Sequence, residues 1–216
     1  MNDKFFTKKE IFPLLIILAV LIATIFLYPI IPARIPSHWN IYGQVDGYMG
    51  KKFFTIFFPV LVCAIYLLMS FLPLIDPLRK NIEKSKDAYF YLKTILVGFL
   101  SVIYFFSLYV GMESGKNIAV GKIVPTLLGF VFVAIGVLLP RIKRNYFMGI
   151  RTPWTLDSDE VWEETHKRGK WWFVLGGIVF IIGGLLNLGL MAYCGIIFLL
   201  APLIDSYLIY KKLVKK

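Results

Sequence analysis

Charge is scarce over most of this sequence, and its absence excludes an ordinary soluble domain. Hydrophobic residues make up 58% of the chain and charged residues only 17%, whereas soluble domains usually contain about 45–50% and about 25%. The mean hydropathy is +0.73. The apolar residues come in long runs and not at the period of an amphipathic helix or strand. They therefore indicate membrane spans instead of a large soluble core.

The uncharged runs are long enough to cross a bilayer. They comprise residues 11–33, 53–75, 94–112, 123–140 and 171–204. A span needs about 20 residues at about 1.5 Å each, so each of the first four runs predicts one span. The fifth continues in apolar character to Tyr210, which would make a single helix of about 60 Å. We therefore predict two spans there, with a turn between Asn187 and Tyr193, and an all-α polytopic membrane protein with about six transmembrane helices.

The 24 lysines and arginines are unequally divided between the two membrane faces that six spans define. Most of them precede the first span or lie in residues 76–93, residues 141–170 and the C-terminal tail. The five on the other face are Arg34, Lys51, Lys52, Lys116 and Lys122. Because basic loops stay in the cytoplasm, we expect both termini inside, residues 34–50 outside, and a multi-pass protein of the cell membrane. The location of the basic residues on the cytoplasmic face thus explains the net charge of +11. We therefore expect no direct binding of nucleic acid.

The basic start of the chain followed by an apolar run is similar to a signal peptide. The run is too long for one, however, and no clear small-x-small cleavage site follows it. We expect a signal anchor that remains part of the protein.

Cysteine and histidine are rare as well, with two of each in the chain, which argues against a disulfide framework and most metal sites. Cys63 and Cys194 fall inside predicted spans and show no metal-ligand spacing. The predicted topology places His38 and His166 on opposite membrane faces. We expect no cofactor, no metal and no catalytic residues, because the spans hold no paired acids and no His-Glu-x-x-His pattern. A membrane-embedded hydrolase is therefore only the second of two alternative functions that we keep open.

The predicted outer loop concentrates the polar chemistry that the spans lack, between His38 and Tyr48. Asp46-Gly47 is a turn signal and Gly43 permits a positive φ. One interpretation is a compact hairpin in which Asn40 and Asp46 only satisfy backbone amides. The other is a site where polar side chains converge on a ligand. The candidate ligand-binding residues are His38, Asn40, Gly43, Asp46, Gly47 and Tyr48.

The predicted inner loop holds a second concentration of polar and aromatic residues, from Asn145 to Arg168. Asp157 or Ser158 can cap a short helix whose first turn is acidic and whose end carries Lys167 and Arg168. This segment is either an amphipathic interfacial helix with an aromatic belt or a docking surface for a cytoplasmic partner. The candidate partner-binding residues are Asn145, Gly149, Arg151, Thr152, Pro153, Trp154, Trp162 and His166.

Both loops resemble those of one known family. Ile35-Pro36-Ser37-His38-Trp39-Asn40, with Gly43, Asp46-Gly47 and Lys51, resembles the short membrane domain of unknown function at the N-terminus of SdpI-type proteins. The segment from Asn145 to Leu156, with Trp162, Thr165-His166 and Gly169, resembles the C-terminal SdpI signature. On this basis we divide the chain into an N-terminal membrane domain, residues 1–75, and an SdpI-like membrane domain, residues 76–216, with the loop 141–170.

The resemblance implies an integral membrane protein that confers immunity to a secreted, membrane-active peptide toxin of the sporulation-delaying type. It also implies signal transduction, in which toxin engagement lets the protein hold a winged-helix repressor at the membrane. On the predicted topology the outer loop would meet the toxin, and the inner loop or tail would meet the repressor.

A small secondary transporter or exporter is the main alternative function. Asp205 bears on it, because an acid within an apolar run is often functional. The proximity of Asp205 to Lys211-Lys212 leaves open an interfacial ion pair with lysine instead.

Overall fold

The computed structural model describes residues 8–113 and 118–214 and confirms the predicted fold class. Within these residues, six helices are long and apolar enough to cross a membrane, so the chain is a multi-pass helical membrane protein. Lys4, Lys116, Lys215 and Lys216, which enter the charge asymmetry, lie outside the described residues. The membrane helices are α1 (Ile11–Leu27), α2 (Lys51–Ile75), α4 (Lys86–Met112), α5 (Val120–Leu138), α7 (Asp159–Leu185) and α8 (Gly189–Leu213).

Four short elements connect the membrane helices. Between α1 and α2 the chain forms two strands, and the remaining connections hold two helices of one or two turns. These elements are β1 (Arg34–Trp39), β2 (Val45–Gly50), α3 (Arg79–Lys84) and α6 (Pro153–Asp157). We call the membrane face that carries β1 and β2 the hairpin face. The opposite face, which carries residues 142–152, is the loop face.

The predicted division of the last apolar stretch is confirmed. Asn187, between α7 and α8, has a φ of 58°, a left-handed conformation that asparagine adopts more readily than most residues. The N–H groups of Asn187 and Leu188 donate to the carbonyl oxygens of Gly184 and Gly183. This is the Schellman arrangement that ends a helix, so local turn chemistry separates the last two spans.

The membrane helices pack as two groups of three. In the first group α4 packs against both α1 and α2, and in the second α7 packs between α5 and α8. Glycines allow the second group to pack closely, because a Cβ at Gly177 would lie 2.6 Å from the carbonyl oxygen of Gly129. A Cβ at Gly183 would lie 2.5 Å from the backbone nitrogen of Ala192. Close approach at small residues is the usual way helices associate in lipid.

Two of the three buried apolar clusters among the described residues lie in different parts of the molecule. One lies within the first group, where α1, α2, α4 and β1 meet, and includes Val20, Ile35, Phe54, Tyr104 and Leu108. The other joins the two groups near the loop face, and its members are Ile82, Ala88, Tyr89, Leu138, Leu139, Ile142, Met148, Ile150 and Trp162. The second cluster brings the segment 142–152 into the core of the protein.

The short helix predicted in the inner loop is not a separate element. Ser158 does cap α7, with its Oγ accepting the N–H of Val161 at 3.4 Å, but the helix continues past Arg168 to Leu185. Only Gly169 disfavours a helix there, and its effect is small beside the packing of α7 against both neighbours. A helix of 27 residues is about 40 Å long. Roughly 10 Å of it therefore extends beyond a hydrocarbon core of about 30 Å.

Candidate functional site

The loop between α1 and α2 is a two-stranded antiparallel hairpin. The strands pair from Arg34 opposite Gly50 to Trp39 opposite Val45. Asn40 forms the turn, because its Oδ1 accepts the N–H groups of Tyr42 at 2.9 Å and Gln44 at 3.1 Å. The backbone amides of the turn are thus satisfied by a side chain, as the hairpin interpretation assigned to Asn40.

One face of the hairpin packs on the end of α4. Ile35 is 0% exposed, and the Trp39 ring lies 6.0 Å from the ring of Phe106. Gly111 on α4 leaves room for the strand, because a Cβ there would lie 3.2 Å from the Cδ atom of Pro36. The hairpin is therefore held against the membrane helices instead of projecting freely.

The other face of the hairpin carries exposed polar and aromatic side chains. His38 Nδ1 lies 2.5 Å from Asp46 Oδ1, and the two side chains are 69% and 44% exposed. Further along the strands, the Arg34 guanidinium lies over the Tyr48 ring, 5.7 Å from the ring centroid. The structure thus brings together three of the candidate residues, His38, Asp46 and Tyr48, and adds Arg34, which the sequence analysis did not single out.

The glycines of the candidate set shape the hairpin. Gly47 lies against the side chain of His38, and a Cβ at Gly47 would be 2.9 Å from the His38 Cβ. Gly43 has a φ of 75° and faces the backbone of Gly121 at the start of α5, where any side chain would overlap. A side chain at Gly189, which begins α8, would overlap the carbonyl oxygen of Ile41. The hairpin turn therefore rests on the second group of helices.

On the loop face, residues 142–152 form the second motif, which we call the loop motif. It folds around Asn145, which is 0% exposed. Its Oδ1 accepts the N–H groups of Phe147 at 2.9 Å and Met148 at 2.7 Å. Its Nδ2 donates to the carbonyl oxygens of Lys143 at 2.9 Å and Met148 at 3.0 Å. All the hydrogen bonds of this amide lie within the loop, so Asn145 determines the loop conformation.

Trp162 and His166 hold the same loop from α7. The indole Nε1 of Trp162 donates to the carbonyl oxygen of Ile142 at 2.7 Å, and Nε2 of His166 accepts the N–H of Ile150 at 3.0 Å. Because Nε2 accepts, the ring proton is on Nδ1, which donates to the carbonyl oxygen of Trp162 at 2.8 Å. The two rings stack with centroids 4.2 Å apart. Gly149, with a φ of 109°, leaves the space that this histidine occupies.

The remaining loop candidates differ in exposure. Thr152 is buried, forms a reciprocal capping box with Thr155 at the start of α6, and contacts Ser206 of α8 through their hydroxyl oxygens at 3.1 Å. Arg151 is exposed and donates to the carbonyl oxygen of Tyr146 at 2.7 Å. The exposed or half-buried candidates are Gly149, Arg151, Pro153 and Trp154, and the buried ones are Asn145, Thr152, Trp162 and His166.

Asp76 is a loop residue that the sequence analysis missed. It is 4% exposed, and its carboxylate accepts the N–H of Leu78 at 2.6 Å and the N–H of Tyr146 at 2.9 Å. It therefore ties the end of α2 to the loop motif. The available signal was its position, an acid directly after an uncharged run and directly before Pro77.

Asp205 pairs with Arg168 of another helix and not with Lys211 or Lys212, so the pairing with these lysines that the sequence left open is wrong. Its carboxylate accepts from Arg168 Nη1 at 3.1 Å and from Trp172 Nε1 at 3.4 Å. Asp205 and Arg168 line a cleft of about 450 Å³ between α7 and α8, whose walls carry charges of both signs. Within residues 8–113 and 118–214, no group of three or more His, Cys, Asp or Glu is arranged to hold a metal.

Two protein families match parts of the chain. Residues 15–64, which include α1 from its second turn, the hairpin and half of α2, match a domain of unknown function, DUF1648. Residues 141–207, which include the loop motif, α7 and most of α8, match the SdpI/YfhL protein family.

One curated relative is similar over nearly its whole length. The chain is 26% identical over 210 residues to a protein named immunity protein SdpI from Bacillus subtilis (strain 168), covering 95% of this chain and 98% of the relative. No solved structure matches the chain. The resemblance seen in the two loops is thereby confirmed, because the outer loop lies within the DUF1648 match and the inner loop lies within the SdpI/YfhL match.

Proposed function

We propose that the chain is a membrane immunity protein that binds a secreted, membrane-active peptide toxin on its hairpin face. The observation that carries the proposal is the hairpin itself. Its buried face fixes it on α4, and its other face presents His38, Asp46, Arg34 and Tyr48 to the surroundings. Similarity over 95% of the chain to a protein named an immunity protein supports the same function.

The hairpin has the chemistry of a peptide-binding surface. A tyrosine, an arginine, an imidazole and a carboxylate offer aromatic contact and charges of both signs, and Tyr and Arg are enriched among residues that dominate binding energy. Tyr42, 73% exposed at the turn, extends the surface. Because packing and the Asn40 turn fix the backbone beforehand, binding loses little conformational entropy.

We propose that the hairpin face is extracellular and that both termini are cytoplasmic. The support is the excess of lysine and arginine on the loop face, since such an excess marks the cytoplasmic side. A toxin that attacks the membrane from outside would then reach the hairpin before or as it inserts. Protection follows from holding the peptide at the outer leaflet, without a chemical step.

We further propose that the loop face binds a cytoplasmic partner, a winged-helix repressor, and that lipid covers the apolar outer surfaces of the spans. Asn145, Thr152, Trp162 and His166 are buried, so they act by shaping the loop. The contact surface is accordingly narrowed to Gly149, Arg151, Pro153 and Trp154. Trp154 packs on Tyr207 with ring centroids 5.0 Å apart, which keeps it in one orientation for a partner.

The test of immunity is to express the chain in a sensitive host and challenge the cells with a sporulation-delaying-type peptide. We expect survival and a maintained membrane potential, compared with rapid depolarisation of cells that carry an empty vector. Loss of viability and of membrane potential despite normal amounts of the protein in the membrane would contradict immunity to this class of peptide.

A further inference from the structure

Few side chains of the first membrane helix are buried. Pro13, Ile17 and Val20 of α1 are buried, and Ile16 and Leu27 are partly buried against α2 and α4. Most of its other side chains are exposed. In lipid, apolar side chains gain no hydrophobic free energy from contact with another helix. The position of α1 must therefore depend on specific packing and on polar contacts.

A buried ion pair connects the start of α1 to α4. Lys93 Nζ lies 2.8 Å from both carboxylate oxygens of Glu10. The side chains are only 5% and 8% exposed. Lys93 is in the second turn of α4, and Glu10 directly precedes α1. Burying a pair of opposite charges to this extent costs free energy unless all its hydrogen bonds are made.

Side chains of α2 complete the hydrogen bonds of this pair. Lys93 Nζ also donates to Ser70 Oγ at 3.2 Å, so all three ammonium hydrogens have acceptors. The ammonium lies 4.9 Å from the centroid of the Tyr66 ring, and the Tyr66 hydroxyl donates to Glu10 at 3.1 Å. The three helices, which also share buried apolar contacts, thus meet at one closed polar cluster.

We propose that the cluster of Glu10, Tyr66, Ser70 and Lys93 is a buried latch that holds α1, and with it the start of the hairpin, on α2 and α4. The latch fixes α1 near the loop face. Near the hairpin face, the Tyr104 hydroxyl lies 2.7 Å from Thr24 Oγ1, which itself donates to the Val20 carbonyl oxygen. Removing either charge leaves the other buried without its counter-charge, which costs far more than losing an exposed pair.

The chain offers a matched control for this latch. Lys9 and Asp87 join the same two helices by an ion pair of 2.9 Å, but their side chains are 51% and 63% exposed. Exposed pairs contribute little to stability because water solvates each charge separately. If any ion pair between α1 and α4 were sufficient, the two pairs would have equal effects.

The experiment compares the full-length chain with Lys93→Met, Glu10→Met, their double variant, and the controls Lys9→Met and Asp87→Asn, each purified in detergent. We expect each of the two buried single variants to lower the midpoint of thermal unfolding by about 10 °C. The controls should change it by no more than about 2 °C. The double variant should recover much of the loss, because no charge is left unpaired.

Hydrogen exchange of α1 distinguishes a latch from general stabilisation. Amides of residues 11–20 should exchange about tenfold faster in Lys93→Met, with smaller changes in α5, α7 and α8. If a single variant fails to accumulate, recovery of the double variant supports the latch. Equal effects of buried and exposed pairs would overturn the proposal, as would additive losses or a double variant that also fails to accumulate. None of these readouts requires the toxin.

Discussion

Two asparagines show how differently the two halves of the molecule use the same device. Asn40 in the hairpin and Asn145 in the loop each accept two backbone N–H groups with one side-chain oxygen. Asn145 is fully buried, and its amide nitrogen donates to the carbonyl oxygens of Lys143 and Met148. Asn40 lies in an exposed turn, where its nitrogen donates only to the side chain of Gln44.

The same contrast separates the two motifs as wholes. The hairpin presents His38, Asp46 and Tyr48 outward, whereas Trp162 and His166 lie on α7 and are buried against the loop motif. A motif of polar and aromatic residues can therefore either meet a ligand or determine the fold of a loop. In this chain burial distinguishes the two motifs, and the exposure of the hairpin is the reason that we propose toxin recognition there.

The largest expected effect concerns stability at the buried asparagine. Asn145→Ala removes four hydrogen bonds and leaves the N–H groups of Phe147 and Met148 without acceptors in the core. We expect the free energy of unfolding to fall by about 3 kcal/mol. Asn40→Ala is the matched control and should lower it by about 1 kcal/mol, because water can replace the lost acceptor. Thermal or denaturant unfolding of the purified proteins measures both, and equal losses would contradict the difference in role.

A smaller effect on stability is expected at Arg151, which is exposed and makes one hydrogen bond to the Tyr146 carbonyl oxygen. Arg151→Ala should lower the free energy of unfolding by no more than about 1 kcal/mol and should leave protection against the peptide unchanged. If the loop face binds a repressor, the same variant should abolish induction of a reporter that the repressor controls. Loss of protection together with induction would instead assign Arg151 a structural role.

Sequence predicted those parts of the fold that depend on local chemistry. The length of the uncharged runs predicted the spans, and asparagine at position 187 marked the last turn. Asp157 or Ser158 was predicted as a helix cap, and Ser158 caps α7, although the predicted helix was a short one. The turn residues Gly43 and Asp46-Gly47 also led to a hairpin as one of the two interpretations of the outer loop. Each of these features depends on residues a few positions apart.

The remaining features depend on contacts between distant residues. The ion pair of Glu10 and Lys93 joins positions 83 residues apart, and the partner of Asp205 lies on another helix at Arg168. Their pairing follows from how the helices pack, which the sequence does not display. For the same reason sequence could not distinguish the half-buried Asn40 from the fully buried Asn145, since both precede turns.

We propose that the exposed face of the hairpin recognises the toxin, and substitution of its hydrogen-bonded pair, His38 and Asp46, tests this proposal. Survival under peptide challenge would be measured for sensitive cells that express His38→Ala or Asp46→Ala, with the amount of protein in the membrane measured in parallel. Glu164→Ala is the matched control, because it removes a similarly exposed partner of Arg168 on the opposite face. We predict that both hairpin variants lose protection at normal abundance while the control retains it. Full protection by both hairpin variants would contradict the account.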